Sequence, residues 1–174
     1  RDPGSPVAAT VPAGNVLGGG DWATDRLVPD IVRAVAAGTP VHIRNPASIR
    51  PWQHVLEPLA GYLMLAAGIA EGDRSLAGAW NFGPDPEATV DVATLAALLE
   101  NAWGRRSPQF LFGSEEDAPP EANLLHLDSA KARSALGWRP RLSLREAVAL
   151  TLEWYAPALD GSTRLRALSE RQID

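Results

Sequence analysis

Apolar and polar positions along the chain alternate between two periods. Residues 7–11 form a short apolar run after Pro6 that ends at Pro12, the length of a buried strand. Residues 13–22 contain Gly18, Gly19 and Gly20 and predict a loop, because three consecutive glycines lose much backbone entropy on ordering. A helix is predicted over 26–37, with Ile31, Val32 and Val35 as its apolar stripe, Pro29 in its first turn and Gly38 as its stop. Residues 41–43 predict a strand, and 44–51 an irregular loop bounded by Arg44 and Arg50. A second helix is predicted over 55–71, with Leu59, Leu63, Ala66 and Ala67 at helical spacing.

Further along, 79–82 predicts a strand ending at Gly83-Pro84, and Asp91 caps a helix reaching 103 with Leu95, Leu98 and Leu99 inward. Strands are predicted at 109–112 and 124–127, separated by an acidic, proline-bearing loop at 114–121. Asp128 caps a short helix over 129–136, which Gly137 ends. Ser143 and Glu146 fit a capping box that opens a last helix to Tyr155, with Pro157 as its stop. The tail after Asp160 is charged and weakly patterned. Short strands among helices make a mixed α/β unit.

Composition narrows the classes. The 174 residues are 45% hydrophobic and 21% charged, with a net charge of −5. This balance speaks against sequence-independent nucleic-acid binding, which needs clustered cations. Residues 55–70, the longest apolar stretch, are broken by Glu57, Pro58 and Gly61, so no membrane span is expected. The opening residues 1–6 lack Met and read as a turn-rich lead without a secretory signal. The absence of Cys removes disulfides and thiolate ligands, and the spacing of His42, His54 and His126 is not that of a zinc helix. No G-x-S-x-G elbow supports a serine nucleophile. Trp52, Trp80, Trp138 and Trp154 read as packing residues.

Two features could hold an anion. Asn15 precedes the glycine turn at the end of an expected strand, where glycines can let backbone approach a phosphate. The spacing is not G-x-G-x-x-G, and a plain tight turn fits it equally. Arg26, Arg44 and Arg50 could fork onto phosphate oxygens, or pair with surface carboxylates.

Taken in order, these segments resemble one family. A-G-N-V-L-G-G-G-D-W from Ala13 to Trp22, then Asp25 to Asp30, then R-P-W-Q-H-V-L-E from Arg50 to Glu57 are similar to CDP-glucose 4,6-dehydratases. N-F-G from Asn81 and L-G-W-R-P from Leu136 are shared more widely among extended short-chain dehydrogenase/reductases. The resemblance implies an α/β fold: the C-terminal part of an extended Rossmann-type dehydratase, lacking most of the doubly wound NAD-binding sheet. Residues 1–22 would end the Rossmann domain, 23–160 would be mainly the nucleotide-sugar-binding domain, and 161–174 a tail. The whole enzyme would be a cytoplasmic homodimer that uses NAD to convert CDP-glucose to CDP-4-keto-6-deoxyglucose. By resemblance, Asn15 and Arg50 contact the substrate diphosphate, Arg26 and Leu27 line the cleft, Ile43 and Arg44 sit by the base, and Asn81 lies near the nucleotide. Another nucleotide-sugar epimerase or dehydratase, or a binding module without activity, remains the alternative.

The sequence departs from that family in three places. Pro12 stands where arginine is usual, and 118–122 lacks the usual histidines. The largest departure is the lysine inventory. Of 16 Lys and Arg, only Lys131 is lysine, and Leu127 stands four residues before it. Tyr62 and Tyr155 are followed four residues later by Ala66 and Leu159, so the family's Tyr-x-x-x-Lys acid/base pair is not within these residues. The expectation is a chain that is inactive by itself, binds no NAD tightly, holds no metal, and exposes apolar surface at strand 7–11 and elsewhere.

Overall fold

The computed structural model describes residues 6–104, 107–113 and 124–174. The expected loop at 114–121 and the departure at 118–122 lie outside the described residues. The chain runs β1 (Ala9–Thr10), β2 (Asn15–Leu17), α1 (Leu27–Ala37), β3 (Val41–Ile43), β4 (Ile49–His54), α2 (Leu56–Ala70), β5 (Gly78–Ala79), β6 (Thr89–Asp91), α3 (Val92–Trp103), β7 (Phe110–Phe112), α4 (Ala130–Ala135), α5 (Leu144–Leu159) and α6 (Leu165–Ile173). Three small sheets result: β1 with β5 in parallel, β3 with β7 in parallel, and β2-β4-β6.

The central sheet differs from the expected loop at 44–51. Ile49 to Pro51 pair antiparallel with β6, and Trp52 to His54 pair parallel with β2. Pro51 lies where β4 changes partner, which lets a residue without an N–H occupy a central strand. The strand expected at 124–127 reduces, among the described residues, to one bridge between Ile49 and Leu124.

Helix ends follow local chemistry. Gly38 adopts φ 66° and closes α1 through its N–H. Asp91 accepts from Thr94 N to open α3, and Ser143 with Glu146 forms the expected capping box of α5. Pro157 does not stop α5. It occupies the last turn, and the chain recovers bonds beyond it from Asp160 N to Ala156 O (3.3 Å) and Ser162 N to Pro157 O (2.9 Å). The weakly patterned tail folds as α6, because its anchors are largely polar. Trp154 Nε1 donates to Ser169 Oγ (3.0 Å) and Gln172 Nε2 to Leu150 O (2.9 Å), with Leu168 buried between.

Two apolar clusters fill the interior. One joins Leu17, Ile31, Val32, Leu95, Leu99, Val148 and Tyr155 across α1, α3, α5 and the central sheet. The other gathers Leu65, Trp80, Phe82, Ala132 and Trp138 beneath α2. The expected packing role of Trp80 and Trp138 holds, each being 2% exposed. Strand β1 is paired with β5, while α2 turns Leu59, Leu63 and Met64 outward. No helix among the described residues is long and apolar enough to cross a membrane.

Candidate functional site

Side chains alternate along β4, and this alternation builds the site. Arg50 and Trp52 face one side, where α1 and β3 leave two adjoining cavities of about 370 and 310 Å³. Asn15, in register with Trp52, lines both, as do Leu27 and Trp52 itself. The first cavity adds Asp21 and Arg26; the second adds Ile43, Arg44 and Arg50. Six of the seven residues expected to bind substrate therefore meet around one continuous cleft. The seventh, Asn81, does not. It follows β5, lines neither cavity, and donates its amide to Asp128 O at 3.1 Å.

The cleft mouth carries opposed charges. Arg26 Nη1 lies 3.5 Å from Asp21 Oδ2, both substantially exposed, while Arg50 Nη1 donates to Ile49 O at 2.9 Å. Asp21 is held from behind. Its Oδ1 accepts from Ala23 N (2.9 Å), and its main-chain oxygen accepts from the Tyr155 hydroxyl (2.5 Å). Burial, and then the Asp21 charge, push the Tyr155 phenol up to about 12, so it stays a neutral donor at physiological pH.

The glycine turn is packed closely against neighbouring side chains. A Cβ on Gly19 would stand 2.0 Å from Trp154 Cγ, and one on Gly18 2.7 Å from Val55 Cγ1. Both glycines make room for packed side chains. Among the described residues no group of three or more His, Asp or Glu side chains could hold a metal ion.

The other face of β4 is framework. Gln53 Nε2 donates to Phe82 O (2.7 Å), and buried Glu57 accepts on Oε1 from Arg141 N (2.9 Å) and Leu142 N (2.7 Å). Trp138 Nε1 donates to Glu57 O (3.1 Å). The R-P-W-Q-H-V-L-E and L-G-W-R-P runs are therefore joined to each other. Sequence reasoning missed Trp52 and Asp21 as cleft residues. Trp52 was marked by its position two residues after Arg50, a strand period hidden by Pro51; Asp21 had no comparable signal.

A scan against models of known protein families matches none. The chain is 44% identical over 165 residues to CDP-glucose 4,6-dehydratase of Salmonella typhimurium, covering 95% of this chain and 45% of that protein. It is 25% identical over 159 residues to dTDP-glucose 4,6-dehydratase of Xanthomonas campestris pv. campestris, covering 83% of this chain and 43% of that one. Among solved structures, MoeE5 in complex with UDP-glucuronic acid and NAD superposes with TM-score 0.71 at 27% identity, over 86% of this chain and 47% of its own. DesIV, a dTDP-glucose 4,6-dehydratase from Streptomyces venezuelae with NAD and TYD bound, gives 0.67 at 20% identity over 90% and 46%. The fold is that of the C-terminal part of Rossmann-type short-chain dehydrogenase/reductase dehydratases and epimerases. Within that class the chain is related to CDP-glucose 4,6-dehydratase, and the match fits a C-terminal portion of it. The chain spans a little under half the length of these relatives.

Proposed function

We propose that the cleft between α1, β3 and β4 binds a nucleotide sugar, CDP-glucose, as the substrate-binding part of an NAD-dependent, cytoplasmic CDP-glucose 4,6-dehydratase. The carrying observation is the convergence of Asn15, Arg26, Leu27, Ile43, Arg44 and Arg50 on two cavities that meet at Asn15. In this reading Asn15 and Arg50 hold the diphosphate, Arg26 and Leu27 flank it, and Ile43 and Arg44 take the nucleoside. Asn81 is given no contact in this reading, since it lines neither cavity. Residues 1–22 correspond to the end of a Rossmann domain and 23–160 mainly to the substrate domain. These residues contain no Tyr-x-x-x-Lys pair, so the chain binds substrate but does not turn it over.

Calorimetric titration with CDP-glucose, dTDP-glucose and UDP-glucose tests the reading. CDP-glucose is expected to bind best, and Arg50→Ala to weaken it about 10- to 100-fold, the worth of a charge-assisted phosphate contact. Equal affinity for all three sugars, or indifference to Arg50→Ala, overturns it. Formation of a 4-keto product from CDP-glucose and NAD by the chain by itself overturns the expected inactivity.

A further inference from the structure

The first cavity contains one feature that a diphosphate site does not require. Asp21 places a carboxylate in the first cavity, as Asp30 does in the second, but Asp30 is already bound by Arg33 on its own helix. Asp21 is also held more firmly than an exposed aspartate needs to be. Its Oδ1 is tied to Ala23 N, its carbonyl to the buried Tyr155 hydroxyl, and the Trp22 ring meets Tyr155 edge-on at 5.3 Å. Gly19, two residues earlier, is closed over by Trp154. The remaining oxygen, Oδ2, points at Arg26 across a 3.5 Å gap. An exposed pair at that distance adds little stability, so stability does not account for so fixed a carboxylate.

The two cavities differ in character. Asn15 stands at their junction. On one side lie Arg44 and Arg50 with apolar Val41 and Ile43, and an Asp30 neutralised by Arg33; on the other lie Asp21 and Arg26. With the diphosphate at the junction, the cationic and apolar side suits a nucleoside. The Asp21 side, where the carboxylate meets one exposed arginine at 3.5 Å, suits a neutral polyol, whose hydroxyls donate to carboxylate oxygens. A phosphate group ending in that first cavity would carry an additional charge toward Asp21 and be repelled.

We infer that Asp21 is a specificity-determining residue that selects sugar-capped nucleoside diphosphates over free nucleoside diphosphates. This rests on the proposed nucleotide-sugar reading of the cleft. Arg26 shifts from Asp21 to the diphosphate on binding, which leaves Oδ2 open to the hexose hydroxyls. Free nucleoside diphosphate brings a terminal phosphate to the same place, and the fixed carboxylate opposes it.

The test titrates CDP-glucose and CDP into the protein, its Asp21→Asn variant and its Asp21→Ser variant. Asn keeps an oxygen for Ala23 N, and Ser provides a shorter acceptor for the same turn, so either variant serves if the other folds poorly. The unaltered protein is expected to prefer CDP-glucose. In the variants, CDP should bind about 3- to 10-fold more tightly, as expected for removing one like charge at partly screened range, while CDP-glucose stays equal or weakens. An unchanged ratio of the two affinities in a folded variant overturns the inference and leaves the nucleotide-sugar reading standing. Failure of the unaltered protein to bind either ligand overturns both.

Discussion

Replacing Glu57 by Ala tests whether two widely spaced runs of this sequence depend on each other. The Glu57 side chain is buried at the first turn of α2, and its Oε1 receives both Arg141 N (2.9 Å) and Leu142 N (2.7 Å). Hydrogen bonds to a charged acceptor contribute about 1.5–3 kcal/mol each. Truncation strands two backbone donors in a partly buried place, and water admitted there recovers part of the loss. Losing an acid from the helix start adds about 0.3–1 kcal/mol. The expected cost of Glu57→Ala is about 3–5 kcal/mol, a large share of the roughly 5–15 kcal/mol that holds a domain together. Glu57→Gln keeps an oxygen in place and loses charge assistance, so its cost should be about 1–2 kcal/mol. Urea unfolding with a shared m-value reads both. A Glu57→Ala midpoint within about 1 kcal/mol of the unaltered protein would refute the reasoning, since it would mean the loop at 141–142 is held by other contacts.

Burial lowers the His54 pKa to about 4, against about 6.5 for an unfolded histidine, so between these values the unfolded chain takes up the proton first. Stability is therefore expected to fall from pH 6.5 to about 4 by at most about 3 kcal/mol through this group, and His54→Gln should flatten the slope; parallel pH profiles of the two proteins would count against it. Tyr155→Phe removes the bond to Asp21 O and should cost about 1–2 kcal/mol in urea unfolding. Alkaline titration of tyrosine absorbance should show one phenol ionising near 12, lost in that variant. Gly14→Ala would put a Cβ 2.5 Å from Pro51 O, a backbone atom that cannot swing aside. It should cost about 1–3 kcal/mol and weaken CDP-glucose binding by moving adjacent Asn15 in the cavity wall; unchanged affinity in the calorimeter would contradict this.

The helices were largely legible because their signals are local. Gly38, Asp91 and the Ser143–Glu146 box each satisfy end groups that every helix leaves open, and each stands where the sequence predicts. Strand β4 was not legible. Its partners lie about 35 residues before and 40 after it, and Pro51 masks the alternation of Arg50 with Trp52. Helix α6 escaped because Ser169 and Gln172 anchor it by hydrogen bonds rather than an apolar stripe. Resemblance named residues that spacing left open; six of them line the two cavities, while Asn81 lines neither and donates to Asp128 O.

The R-P-W-Q-H-V-L-E run owes its length to a strand with two faces. Arg50 and Trp52 turn toward the cavities, while Gln53 and Glu57 tie the strand and its following helix to Phe82 and to the 141–142 loop. Trp52 does both, since its ring lines the cleft and its Nε1 donates to Val90 O at 3.1 Å. Residues that never touch a ligand therefore fix the height of those that do. The G-G-G-D-W run is built the same way: Gly19 yields space to Trp154 so that Tyr155, the next residue of α5, can reach Asp21. A contiguous motif here is a cleft residue together with the contacts that aim it, and α5 belongs to the site although it contributes no side chain to either cavity.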